Sequence, residues 1–140
     1  KFLARLELLM QMARPSWQPI VTIKMVRLSI LSGMSPMSPI GFTYYGMLLA
    51  RLGNIREGYR YVKIGRKLLE RPGTKEVAGE VISMGTQVMC FMEPVQSANE
   101  FHHEGHAASM DAGDMGNACM SSMVYSVGSH WAGAKLRVVR

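Results

Sequence analysis

The stretch Phe42-Thr43-Tyr44-Tyr45-Gly46-Met47-Leu48-Leu49-Ala50-Arg51-Leu52-Gly53-Asn54-Ile55-Arg56-Glu57-Gly58-Tyr59-Arg60-Tyr61-Val62-Lys63-Ile64-Gly65 decides how this chain is read. Leu52-Gly53-Asn54-Ile55 interrupts two apolar-periodic runs with a tight turn, so the two runs are expected as antiparallel helices. Gly46 lies in the first run, and Gly58 and Gly65 lie in the second, one helical face apart. A glycine inside a helix costs about 1 kcal/mol relative to alanine. Three at such spacing therefore mark a crossing where the axes approach too closely for a Cβ. Phe42, Tyr45, Tyr59 and Val62 supply large apolar groups around that crossing.

Outward from this hairpin, the same periodicity continues in both directions. Phe2 to Arg14 places Phe2, Leu3, Leu6, Leu9, Met10 and Ala13 on one helical face, with Arg5 and Glu7 off it. Pro15 ends that helix, and Ser16 is the expected N-cap of a second, reaching Ser32. Its apolar residues include Ile20, Ile23, Met25, Val26, Leu28, Ile30 and Leu31. Gly33 to Pro39 reads as a loop. Further helices are expected over about 39–52, 55–71, 75–92 and 95–112, and from an Asp114 N-cap to about Trp131. The tail from Ala134 to Arg140 has the composition to start one more element. No segment sustains a period of two, so the expectation is an all-α chain of about seven helices in antiparallel hairpins. It divides into a leading pair at 1–32, the hairpin at 39–71, a second hairpin at 75–112 and a helix at 114–132.

The 39–71 hairpin resembles a tetratricopeptide unit, which likewise places one small residue in its first helix and two in its second. In the second hairpin, Gly85 or Thr86 takes the first small position, with Ala98 and Gly105 as the later pair, about forty residues on. That offset is longer than the usual tetratricopeptide period, so the second unit reads as degenerate.

Several runs carry a closer resemblance. They are Lys24-Met25-Val26-Arg27-Leu28-Ser29, Ser35-Pro36 with Ile40-Gly41-Phe42, Tyr44 to Leu49, Leu52 to Arg60, and Ala112-Gly113-Asp114. Over roughly 15–134 they resemble the helical region between the AAA/STAND-type module and the output domain of predicted signal-transduction ATPases. The output in that family is a sensor histidine kinase or, in some relatives, a nucleotide cyclase. The resemblance implies a tetratricopeptide-like α-solenoid segment acting as a non-catalytic scaffold and relay, with protein partners and no cofactor. Its motifs specify helix packing, and no nucleotide-binding or kinase residue is carried over.

Composition narrows the classes further. The chain has 140 residues, 48% hydrophobic, 19% charged and a net charge of +6. That excludes disorder as the default and suits one domain. The low charged fraction leads us to expect apolar surface that something else covers. Residues 1–72 carry 12 basic and 3 acidic side chains, residues 73–134 carry 1 and 7, and residues 135–140 add three basic ones. Opposed blocks of this kind suit mutual packing or a polarised partner and argue against a single nucleic-acid stripe. Two cysteines, Cys90 and Cys119, make no disulfide framework and point to a reducing, cytoplasmic setting. Apolar runs are too short for a bilayer span. The opening at Lys1, without a signal-peptide layout, fits an interior segment of a longer protein.

Chemical motifs are sparse. His102 and His106 stand four apart on one helical face, as metal-binding histidines must, within Glu100-Phe101-His102-His103-Glu104-Gly105-His106. A zincin spacing is missed by one residue from either histidine. Gly128 to Lys135 imitates a P-loop, but Ala134 separates glycine from lysine and Leu136 replaces the magnesium-binding hydroxyl. Cys90 and Cys119 lie in apolar helical runs and are expected to be buried. Arg56, Arg60, Lys63, Arg66 and Lys67 form a basic helix face expected to pair with Glu57 and Glu70 in solvent. The 13 methionines fill a core or line a pliable peptide groove. Two other functions therefore stand beside the relay: a free-standing peptide-binding adaptor with a methionine- and tyrosine-rich concave face, and a metal-dependent hydrolase built on 95–112.

Overall fold

The structure, a computed structural model, describes residues 1–133. The expected element in the 134–140 tail lies outside the described residues. The described residues form seven α-helices and no strand: α1 (Phe2–Ala13), α2 (Gln18–Leu31), α3 (Ser38–Arg51), α4 (Ile55–Lys67), α5 (Lys75–Met89), α6 (Val95–Asp111) and α7 (Met115–Trp131). Single 3-10 turns at Pro15–Trp17 and Leu68–Glu70 extend the junctions after α1 and α4. Each helix packs on its neighbours in sequence, and α3 also packs on α5, as α5 does on α7.

Local chemistry explains the breaks. The backbone is left-handed at Gly33, Gly53, Gly73, Gly113 and Gly133, each beyond a helix end. At Gly53 (φ +90°), its own N–H reaches the Ala50 carbonyl at 3.0 Å and the Asn54 N–H reaches Leu49 at 2.9 Å. Gly113 repeats that geometry with Met110 and Ser109 at 3.1 and 2.8 Å. Two orphan carbonyls are satisfied each time. Both turns then hand over to a side-chain cap. The Asn54 Oδ1 accepts from the Glu57 N–H at 3.3 Å, and the Asp114 Oδ1 accepts from the Asn117 N–H at 3.1 Å.

Ser16 is not the N-cap of α2. It sits inside the 3-10 turn and Trp17 precedes the helix, because Pro15 and Pro19 already supply helix-compatible φ values without a capping bond.

The core is built mainly from valines and methionines, with Ile40 and Tyr44 among them: Val21, Met25, Ile40, Tyr44, Met47, Val62, Val77, Val81, Met84, Val88 and Met89. One sequence expectation is corrected here, that for α1. On α1, Phe2 and Leu9 are exposed, whereas Ala4 and Glu7 are buried. On α2, Val21, Thr22, Met25, Val26 and Ser29 face inward while Ile20, Ile23, Leu28, Ile30 and Leu31 face out. Thr22 and Ser29 tolerate burial because their hydroxyls donate to carbonyls or polar side chains across the contact, which removes the usual penalty.

Candidate functional site

The centre of the molecule is the α3–α4 crossing. A Cβ at Gly46 would lie 2.5 Å from the Gly58 carbonyl oxygen and 2.8 Å from the Val62 Cγ2. A Cβ at Gly58 would lie 2.5 Å from the Gly46 oxygen and 3.1 Å from the Ala50 nitrogen. At Gly65 it would strike the Thr43 hydroxyl and come within 2.9 Å of the Pro39 carbonyl. All three glycines are buried, and their neighbours are backbone as much as side chain.

The α5–α6 crossing uses the same register forty positions later. Gly105 faces Ser83, as Gly65 faces Thr43. By that register Thr86 takes the place of Gly46 and Ala98 that of Gly58. Thr86 is completely buried, with its hydroxyl on the Ile82 carbonyl at 2.7 Å. Gly85, the other candidate for that position, faces α4 instead, where a Cβ would meet the Val62 Cγ1 at 2.8 Å. At a glycine that the spacing did not single out, Gly79, a Cβ would strike the Ser109 hydroxyl and lie 2.9 Å from the Ser109 Cα.

Sequence reasoning missed a buried polar cluster where α1, α2, α3 and α5 meet. Glu7 is fully buried, with its Oε1 2.6 Å from the Thr22 hydroxyl. Its Oε2 has no hydrogen-bond partner among the described residues. Burial pushes the Glu7 carboxyl above the usual range, against the pull of Thr22, Gln18 and the Arg51 charge. Arg51 in turn donates to the Gln18 Oε1 at 2.9 Å. Tyr44 donates to the Glu80 Oε1 at 3.0 Å. Burial also raises Glu80, helped by the negative charges of Asp114 and Glu7. The same desolvation, with Glu80 beside it, drives the Tyr44 phenol far up. Chemically, the cluster favours the neutral form of its carboxyls relative to water and ties four helices together. The sequence carried no trace of it, since Glu7 falls off the expected apolar face of the first helix.

The histidines on α6 have separate surroundings. His102 is buried, its Nδ1 has no partner among the described residues, and desolvation lowers its pKa. His106 is half-buried, with its Nδ1 3.0 Å from both the Ala118 carbonyl and the Ser122 hydroxyl. Among the described residues, no three His, Cys, Asp or Glu side chains converge as a metal site.

Other expectations are corrected. Cys90 and Cys119 are exposed: Cys90 stands just past the last residue of α5, and Cys119 lies on an outward side of α7. The Cys90 Sγ lies 3.3 Å from the Gln87 carbonyl. On the basic face, Arg60 pairs with Glu57 at 2.9 Å, but Arg66 reaches across to Glu104 on α6. The Arg66 guanidinium also lies 3.9 Å from the centroid of the Phe101 ring, and the Lys63 ammonium 5.3 Å from that of Tyr59. The methionines divide: Met25, Met47, Met84 and Met89 are buried, while Met110, Met115, Met120 and Met123 are exposed. In the P-loop look-alike, Gly133 closes α7 with φ +72°, and Lys135 and Leu136 lie outside the described residues. Among the described residues, no helix is long and apolar enough to cross a membrane.

Set against known proteins, the chain matches no family model, no curated protein and no solved structure.

Proposed function

We propose that this chain is a tetratricopeptide-like scaffold and relay segment, non-catalytic in itself, within a cytoplasmic signal-transduction ATPase with a histidine-kinase-type output. The observation that carries the repeat reading is the paired register. Thr43 meets Gly65 across one hairpin, and Ser83 meets Gly105 across the next, forty residues on. Helices α3, α5 and α7 touch in succession, as the first helices of stacked hairpins do. In such an array each unit leans on the next, so a displacement at one end is passed along by packed contacts. The signalling context comes from the sequence resemblance alone.

The peptide-adaptor alternative draws less support, because Tyr44, Met47, Met84 and Met89 are spent in the core rather than offered to a ligand. The deciding experiment is on the parent protein. Its reading frame should hold a nucleotide-binding module before this segment and a kinase or cyclase after it. Gly46→Ala in that parent should leave ATP binding intact and abolish nucleotide-dependent output. A parent without the nucleotide module, or a variant with unchanged coupling, refutes the proposal.

A further inference from the structure

Two acceptors stand within reach of the Thr22 hydroxyl: the Glu7 Oε1 at 2.6 Å and the Gln18 carbonyl at 3.0 Å. A hydroxyl carries one proton and two lone pairs, so both bonds form together only if Glu7 supplies a proton of its own. As a carboxylic acid, Glu7 donates to the Thr22 Oγ1, and Thr22 donates to the Gln18 carbonyl. The other carboxyl oxygen, Oε2, is buried without a partner among the described residues, where a neutral C=O costs less than a share of a carboxylate charge. Arg51, the positive side chain that acts on Glu7, makes its bond to the Gln18 Oε1 at 2.9 Å instead.

The other ionisable groups about Glu7 do not stabilise its anion. Tyr44 of α3 faces it as a neutral phenol, and Glu80 of α5 is a second acid, itself reached by Asp114 at the start of α7. On α2 the facing side chains are the uncharged Gln18 and Thr22, because Lys24 and Arg27 line an outward hollow. On α1, Lys1 pairs with Glu76 of α5 at 2.7 Å, out in solvent, where Arg5 also acts.

Other anchors of α1 are few. Among its described side chains only Ala4 belongs to the buried apolar core, with Leu3, Leu6 and Met10 half-buried against it. The helix has 12 residues and no side-chain N-cap, and it packs chiefly on α2. A helix of that length is marginal alone in water, and the exposed Lys1–Glu76 pair adds little.

We infer that α1 is a strap fastened by the neutral carboxylic acid of Glu7, and that loss of this proton to solvent frees the helix as a unit while α4, α6 and α7 stay folded. The ionised carboxyl can no longer donate to Thr22, and lifting α1 gives it water. The docked acid holds its proton more tightly than the free helix does. Docking is therefore full below the ordinary glutamate value of 4.5, weakens as pH climbs and levels off above the docked value. The inference uses this cluster alone and goes beyond the signalling reading, whose failure would leave it standing.

Hydrogen exchange of the 140-residue chain from pH 4.5 to about 8 tests it. Protection of the α1 amides, corrected for the chemical exchange rate, should fall by up to about tenfold per pH unit and then level off. The α4, α6 and α7 amides should not lose theirs. The carbon-13 shift of the Glu7 carboxyl should titrate above the ordinary glutamate range over the same interval. Glu7→Gln keeps a donor for Thr22 and cannot ionise, so its α1 protection should stay at the acid value throughout. Thr22→Val removes the acceptor at similar size, and its α1 protection should already be about tenfold lower at acid pH. Circular dichroism should show both variants helical. Flat α1 protection in the wild type, loss shared by α1 and α4, a Glu7→Gln chain that behaves as wild type, or a Glu7 carboxyl titrating in the ordinary range overturns the inference.

Discussion

The α3–α4 and α5–α6 hairpins share a register and differ in what occupies it. In the first, backbone meets backbone: Gly46 and Gly58 present carbonyl oxygens to each other where a Cβ would stand 2.5 Å away. In the second, the corresponding places hold Thr86 and Ala98, and a Cβ at Gly105 would stand 2.7 Å from the Ser83 hydroxyl, which is bonded to that of Ser121. The connections differ accordingly. Gly53 closes the first with a two-bond turn, whereas residues 90–94, with Pro94 at the entrance to α6, make a longer link. A short turn pulls the helices together along their length and demands glycine. A longer one leaves room for a methyl or a hydroxyl, so the same topology tolerates more chemistry.

The sharpest way to break this comparison is Gly46→Ala. Its new Cβ meets backbone that cannot rotate away, so we expect a loss of about 3 kcal/mol, the upper part of the overpacking range. This loss is net of alanine's better helix propensity of about 1 kcal/mol. Chemical denaturation would measure it, and a neutral outcome would mean that the crossing is not tight. Gly105→Ala should cost less, about 1–2 kcal/mol, because its Cβ meets the Ser83 hydroxyl, which can turn aside by giving up its hydrogen bond to Ser121. Adding Ser83→Ala should recover part of that loss, net of the Ser121 bond it removes, and no side-chain truncation should do so for Gly46→Ala.

Protonation separates the two regions in opposite senses. Glu7 and Glu80, against the first hairpin, have raised pKa values. The folded state therefore holds their protons more tightly, and their contribution is full below the ordinary glutamate value of 4.5 and is lost as pH climbs through the raised values. His102 on α6 has a lowered pKa, so its contribution is present above 6.5 and falls as pH drops toward the folded value. Hydrogen exchange should show α6 amides loosening on acidification. The α1 and α3 amides should loosen as pH rises from 4.5, an effect that Glu7→Gln should diminish. The smallest effect is expected at the link between the hairpins. Glu104→Gln should lower stability by no more than about 0.5 kcal/mol, because Glu104 is half exposed and Arg66 keeps its place over Phe101.

Much of the architecture was readable in the residues. Gly53, Gly73 and Gly113 mark helix ends because few other residues adopt a positive φ cheaply. Asp114 caps because a short acceptor there reaches an orphan N–H, and Asn54, read in the sequence only as a turn residue, does the same. The buried cluster was not readable, since Glu7 looks like any surface acid until Thr22 and Gln18 of another helix are brought beside it. On α2, isoleucine and leucine occur all around the helix, so hydrophobicity could not say which side faces inward. Gly85 and Thr86 were left open for the same reason: they are adjacent in sequence but face different neighbours.

Local stereochemistry, acting over a few residues, was enough to specify seven helices, their stops and the glycines that permit close crossing. Which face of α2 is covered, which acid loses water and which hydroxyl lines a crossing depend on distant segments arriving at one place. Those outcomes follow from desolvation and excluded volume between helices, and a one-dimensional string does not contain the distances that govern either.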